Sequence, residues 1–335
     1  MEPSENDAPR TLMQMMAGRW VGEPIHVAAR LGIADLLAGG PKAVEQIAKE
    51  TGTHPSYLYR IMRALAAVGI FTEREDRAFA LTPLAECLRS GAMRSIALFL
   101  LSEWHNQAWD RLADCVRTGR IPFEEAHGKT CFEWLEEHPD AARVYHEANA
   151  VKAAGSHSAI LEVYDFTGID TLTDVGGGYG ALLLRIIEAN PHMKGVLADR
   201  PPALRAASRA IRAKGLEDRC SVVECDFFER VPTGSDACLL SHVLHDWDDE
   251  RCRIILDNCR KALEPSGKLL VLEMVVPPGN AFSVAKLLDI EVLVMGGGRE
   301  RTEAEFRSLL GASGFRLDRV FPTEESISML ECSRG

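Results

Sequence analysis

The residues that could do chemistry fall at the ends of five apolar runs in the second half of the chain. The first run opens into Asp174-Val175-Gly176-Gly177-Gly178-Tyr179-Gly180, the second ends at Asp199, and the third at Asp226-Phe227. The fourth runs into Ser241 to Asp246 and the fifth ends at Glu273. In an open α/β sheet, ligands bind outside the carboxyl ends of the strands, so these residues share one rim. A glycine loop there lets the backbone approach a ligand and hands over to a helix, beginning near Ala181, whose first N–H groups are free to bond. Asp199 is spaced to accept hydrogen bonds from two ribose hydroxyls. Gly176, Gly178 and Ala181 satisfy G-x-G-x-x-A, which fits a nicotinamide dinucleotide equally well. The carboxylate of Asp174 before the loop and the acid–aromatic pair Asp226-Phe227 suit S-adenosylmethionine better. Its amino-acid end is zwitterionic and its adenine amino group needs an acceptor, whereas a pyrophosphate is repelled by a neighbouring acid. His245 lies just past the fourth run and Glu273 ends the fifth, so both face one crevice. An imidazole there can take the proton of a hydroxyl while a carboxylate on its other nitrogen sets the tautomer.

These residues need a doubly wound sheet to position them. Leu172–Val175, Gly195–Ala198, Cys220–Glu224, Ala237–Leu240 and Lys268–Leu272 alternate with helical stretches, the pattern of an α/β, mostly parallel, Rossmann-like sheet covered on both faces. The first part of the chain has another texture. Apolar residues recur at helical spacing from Thr11 to Leu37, and short helices are expected at Ala43–Glu50 and Ser56–Val68. A hairpin is expected from Ile70–Thr72 and Ala78–Thr82. Helix, turn, helix, hairpin is the winged-helix order, so a DNA-reading regulator is one alternative. Residues 41–90 hold seven basic against six acidic side chains, a poor electrostatic footprint for DNA. A packing or dimerisation scaffold fits better. Residues 95–165 read as wholly helical, with aromatics that are mostly core and partly the wall of a pocket for a flat small molecule.

The 335 residues carry 38 Lys and Arg against 49 Asp and Glu, a net charge of −11 that repels phosphate backbones and argues against nucleic acid. The first residues, MEPSENDAPR, have neither a basic nor an apolar segment of a leader, and no apolar run approaches a membrane span. The nine cysteines include no C-x-x-C pair, so a disulfide framework or zinc ribbon is not expected and the thiols read as reduced. A cytoplasmic protein follows from these features together.

The segments DVGGGYG, ECDFFERVP, LSHVLHDWDDERC, GKLLVLEMVVP and GGGRERTEAEFRSLLGASGF resemble the class I S-adenosylmethionine-dependent O-methyltransferases of the caffeate, chalcone and acetylserotonin type and their bacterial natural-product relatives. The resemblance covers nearly the whole chain. It implies a winged-helix-like dimerisation domain over residues 1–95 and a catalytic domain over 96–335, with substrate-lining helices in 96–165 and the cofactor sheet in 166–335. It implies that Gly176 and Gly178 hold the methionine part of the cofactor, Asp199 its ribose, and Asp226 and Phe227 its adenine. His245 becomes the catalytic base, with Glu273 and Glu300 as the two acids that position it. A neutral phenol, with a pKa near 10, is mostly un-ionised at neutral pH, so such a base has work to do.

Several positions depart from the family pattern. Ser241 stands where many plant relatives have lysine, and Asp199-Arg200-Pro201 where they have D-L-P, which puts the Arg200 charge near the ribose or adenine edge. With Asp174, these two complete the expected cofactor-binding set. Asn149 stands near the position of an aromatic-clamping methionine, with Tyr145 and Lys152 beside it, so the acceptor is expected to be more polar than a phenylpropanoid. Trp104, Tyr145, Asn149, Asp246 and Met295 are the expected substrate-binding residues. The acidic trio Asp246, Asp248 and Asp249 suggests helix capping more than a metal, and no metal is expected. The expectation is therefore a homodimeric enzyme that methylates a hydroxyl of an aromatic or polyketide-like molecule. N- or C-methylation, a variant without transfer chemistry, a nicotinamide oxidoreductase and a winged-helix regulator are the alternatives.

Overall fold

A computed structural model describes residues 7–91, 93–324 and 326–335. The chain divides into two compact units, the first reaching to Gln107 and including Leu135–Val151, the second made of Ala108–Trp134 and Lys152–Gly335. Among the described residues no helix is long and apolar enough to cross a membrane.

The second unit is built on seven strands: β4 (Thr171–Val175), β5 (Lys194–Asp199), β6 (Cys220–Glu224), β7 (Ala237–Ser241), β8 (Lys268–Met274), β9 (Phe315–Pro322) and β10 (Ile327–Arg334), in the order β6-β5-β4-β7-β8-β10-β9. The first five of these are parallel, as their apolar runs predict, and the central strands β4, β7 and β8 are buried on both faces. Alternation along each strand divides the core in two. Leu239, Leu270 and Leu272 join one cluster, whereas Cys238, Leu240, Leu269 and Val271 join the other. Each such fully buried leucine contributes about 1.5–3 kcal/mol. Strand order reverses between β4 and β7, so the loops after these two strands flank the crevice where α/β sheets bind ligands.

β9 and β10 add an antiparallel edge that periodicity alone did not predict. β9 opens with alternating apolar and polar residues, Phe315 to Asp318, and β10 pairs with β8 in a register that sets Ser328 opposite Glu273. The helix Glu303–Ala312 before them starts with a capping box, Thr302 and Glu305 satisfying each other's backbone N–H groups. Of the nine cysteines only Cys87 is exposed, and none is bridged.

In the first unit, helix Val44–Thr51 ends on the left-handed Gly52 and helix Pro55–Ala67 follows. Next comes a three-stranded sheet of β1 (Lys42–Ala43), β3 (Ala78–Leu81) and β2 (Phe71–Glu73). Ile33, Val44, Ile47, Leu58, Met62, Phe71 and Phe79 form its core. The opening helix, Ala8–Met16, buries no residue, and it and the first turn of the next helix, Arg19–Arg30, leave Leu12, Met13, Met15, Met16 and Trp20 exposed. The stretch expected to be wholly helical holds six helices, the last being Pro139–Val163.

Candidate active site

The chain leaves β7 at Ser241 and makes a short turn, Leu244–Asp246, that carries the imidazole of His245. Three fixed groups hold this turn. The backbone N–H groups of Leu244 and His245 donate to Glu273 Oε1 at 2.9 and 3.3 Å. The His245 carbonyl accepts from Arg299 N at 2.9 Å. Arg301, only 1% exposed, donates to the carbonyls of Leu244 (2.9 Å) and Trp247 (3.0 Å) and pairs with Asp249 at 2.7 Å. The close approach also requires Gly298, because a Cβ there would overlap the His245 carbonyl.

The three expected catalytic residues come together. His245 Nδ1 lies 2.7 Å from Glu300 Oε1 and 3.6 Å from Glu273 Oε2, while Nε2 faces Asp246 Oδ1 at 3.5 Å. Both glutamates are wholly buried and the imidazole keeps 14% exposure, so the ring is fixed on one edge and reachable on the other. The Glu300 N–H is held by Asp289 Oδ1 at 2.8 Å. Burial by itself pulls the His245 pKa down, but the charges of Glu273, Asp246 and Glu300 outweigh it and raise it to about 10. Burial likewise pushes the Glu273 carboxyl up to about 7, with His245 pulling the other way.

The glycine loop follows β4. Gly176, Gly178 and Gly180 have φ of 73°, 59° and 79°, and Gly180 starts the helix Ala181–Ala189. A Cβ at Gly177 would overlap the Asp174 carboxylate, and one at Gly176 would meet Val243 at 3.1 Å and Phe227 at 3.3 Å. Asp174 is buried beneath this loop with Oδ1 unpartnered, and burial, aided by the charge of Asp199, pushes its carboxyl up to about 7. Asp199 accepts from Gly178 N at 2.7 Å and from Arg200 N at 2.6 Å. Asp226 accepts from Phe228 N at 2.9 Å, and Asn258 holds the carbonyls of Phe227 and Phe228. Arg200 is exposed at the start of helix Pro201–Ala213. An orphaned buried carboxylate oxygen beneath three consecutive glycines fits the cationic amino-acid end of S-adenosylmethionine, and the Asp199 carboxylate fits a ribose diol.

The expected substrate residues divide between the units. Trp104 and Tyr145 pack on Phe99 in the first unit, at ring distances of 5.6 and 5.4 Å, and Asn149 lies one turn beyond Tyr145. In the second unit Asp246 lies beside His245, and Met295 is on helix Val284–Gly296 with Asp289 and Glu291. Trp109 Nε1 donates to Glu291 Oε2 at 3.0 Å. The charges of Lys152, Glu291 and Asp246 act on one another, which gathers these groups near His245. The acidic trio separates: Asp248 caps helix Asp249–Ala262, Asp249 pairs with Arg301, and Asp246 stays with the imidazole. Sequence reasoning missed Arg301 and Asp289, because a buried arginine inside the charged run Arg299–Glu305 looks like its solvated neighbours.

The O-methyltransferase domain family matches residues 109–316, and the O-methyltransferase dimerisation domain matches residues 13–91. The phenazine O-methyltransferase PhzM of Lysobacter antibioticus is 43% identical over 96% of this chain and 94% of its own. An O-methyltransferase from neocarzinostatin biosynthesis, NcsB1, solved with S-adenosylmethionine and 2-hydroxy-5-methyl naphthoic acid, superposes with a TM-score of 0.83 at 29% identity, covering 94% of this chain and 96% of that one. The phenazine-1-carboxylate N-methyltransferase of Pseudomonas aeruginosa is 32% identical over the whole of both chains. With both domains matched and relatives aligned end to end, the chain belongs to the S-adenosylmethionine-dependent O-methyltransferases of bacterial natural-product type.

Proposed function

We propose that the protein methylates a hydroxyl of an aromatic or polyketide-like small molecule, with His245 as the general base. The observation that carries this is the 2.7 Å contact of His245 Nδ1 with Glu300, which commits that nitrogen as donor and leaves Nε2 as the acceptor on the accessible edge. His245 takes the acceptor's proton at Nε2, and Glu300 and Glu273 stabilise the imidazolium that forms. Bound S-adenosylmethionine supplies an already activated methyl group, so the chain's task is to align the acceptor oxygen and remove its proton. Asp174, Gly176, Gly178, Asp199, Arg200, Asp226, Phe227 and Ser241 are the residues proposed to hold that cofactor. Asp246 and Met295 are proposed to touch the acceptor. The dimerisation-domain match and the exposed Leu12, Met13, Met15, Met16 and Trp20 support a homodimer.

Single-turnover assays on His245→Ala should lose about 10²–10⁴-fold while S-adenosylhomocysteine still binds. Unchanged turnover removes the base assignment. The N-methyltransferase relative favours a second reading, transfer to an aromatic nitrogen. A nitrogen lone pair carries no proton to remove, so His245→Ala would then cost little, and product mass spectra would locate the methyl on nitrogen.

A further inference from the structure

The base is not the only imidazole where β7 ends. His242, which the proposed reaction does not use, has φ 52°, a left-handed conformation that residues other than glycine seldom adopt. Its N–H still bonds the Leu272 carbonyl at 3.0 Å, so the strand pairing continues while the side chain turns inward. His242 Nδ1 lies 3.9 Å from Glu273 Oε2, and the His242 and His245 rings are 5.3 Å apart. The same oxygen is 3.6 Å from His245 Nδ1. One ligand atom from each of the three residues falls within 4.8 Å of the others. Glu273 Oε2 is completely buried and has no hydrogen-bond partner. A buried carboxylate oxygen aimed between two imidazoles, with no donor of its own, is set up for a cation.

We propose that His242, His245 and Glu273 form a binding site for Zn²⁺ or a similar d-block divalent cation, and that filling it switches the base off. Zinc takes imidazole nitrogens at about 2.0–2.1 Å and carboxylate oxygens at about 2.0–2.2 Å, which in a tetrahedron sets ligand atoms roughly 3.3–3.5 Å apart. The 3.6 and 3.9 Å separations from Glu273 Oε2 exceed that by a few tenths of an ångström, and the two imidazole nitrogens, within 4.8 Å of each other, are brought in by rotation of the partly exposed His242 ring. Glu300 Oε1, beside His245 Nδ1, or a water completes the fourth position. Imidazole ligands exclude Mg²⁺ and Ca²⁺, which require oxygen shells. The ion replaces the proton that His245 Nδ1 shares with Glu300, and that proton leaves to solvent. Bound through Nδ1, the neutral imidazole keeps its one remaining proton on Nε2, so no lone pair is left there to take the acceptor's proton. An entry path exists, since the side chains of His242 and His245 are 27% and 14% exposed.

The inhibition arm of the test rests on the methyl-transfer reading; the binding arm does not. The full-length protein with S-adenosylhomocysteine is titrated with Zn²⁺ against a chromophoric chelator, and with Co²⁺ as an absorbing substitute. One Zn²⁺ per chain is expected, bound at least tenfold more weakly by His242→Asn, whose side chain tolerates left-handed backbone. The Co²⁺ spectrum should show tetrahedral bands without thiolate charge transfer. Saturating Zn²⁺ should lower wild-type turnover at least tenfold, reversibly with EDTA, while His242→Asn keeps its turnover and resists the metal. Equal affinity in the variant, a thiolate band, equal inhibition by Mg²⁺ or absence of binding overturns the proposal. Should His242→Asn lose its folded melting transition, His242→Gly replaces it. Turnover lost for reasons of substrate identity leaves the affinity and the Co²⁺ spectrum to decide.

Discussion

Replacing Glu300 by glutamine keeps the shape of the side chain and an acceptor for His245 Nδ1 but removes one of the charges that hold the imidazole protonated. Two unit charges about 4 Å apart at an effective dielectric of 20 interact by about 4 kcal/mol, a ceiling for the loss. The glutamine oxygen still accepts the 2.7 Å bond, and Glu273 and Asp246 remain, so the expected loss is that of a charge-assisted bond, about 1.5–3 kcal/mol. That moves the imidazole pKa down by about one to two units. In the wild type the three neighbouring acids hold the imidazole protonated at neutral pH. kcat/KM for a phenolic acceptor therefore climbs with pH towards the imidazole pKa. In Glu300→Gln the inflection shifts to the acid side, and the alkaline plateau drops because the weaker base is also less firmly oriented. Rate profiles from pH 6 to 10.5, with the His245 ring nitrogens followed by NMR, measure both effects. An inflection that stays in place or moves to higher pH refutes the claim that Glu300 holds the proton on His245.

Two further substitutions test the frame around the site. The Asp174 carboxyl, raised from 3.8 to about 7, favours the fold below pH 3.8 and loses that contribution as the pH rises through 7. Asp174→Asn should therefore raise the melting temperature at pH 8.5 and leave it nearly unchanged at pH 4, while S-adenosylhomocysteine affinity falls at least tenfold by calorimetry; equal melting shifts at both pH values would show that the acid is not strained by burial. Arg301→Met removes the guanidinium from the Leu244 and Trp247 carbonyls, leaving them mainly the weak Cys252 thiol donor, and from the Asp249 carboxylate, so denaturation should reveal a loss of about 2–4 kcal/mol, with turnover falling more than cofactor affinity. A stability unchanged within error would mean that the turn holds itself.

The parts of the site legible in the sequence are those governed by local rules. The buried parallel strands announce themselves as apolar runs, and the residue ending each run necessarily faces the ligand rim, which is how Asp199, His245 and Glu273 stand out. The glycine loop is equally local, although the identity of its most constrained member is not: Gly177 is required by the Asp174 carboxylate folded beneath it, a contact that spacing cannot express. What escaped notice depends on distant partners. Arg301 is buried because carbonyls on the His245 turn accept its hydrogen bonds, and Asp289 matters because the Glu300 backbone comes to it. The antiparallel β9–β10 edge is fixed by pairing with β8, so the alternation that opens β9 has meaning only once the sheet exists. The residue class of Glu300 was visible through family resemblance alone, since nothing in a charged run distinguishes the buried acid from its exposed neighbours.

The most direct measurement compares His245→Asn with wild type in single turnover across phenolic acceptors whose hydroxyl pKa values lie above and below the assay pH. If His245 removes the acceptor's proton, the loss is about 10²–10⁴-fold for the weakly acidic phenols and shrinks towards unity for those already ionised in solution. A loss that is the same for every acceptor contradicts it, leaving the imidazole as a packing or orienting group.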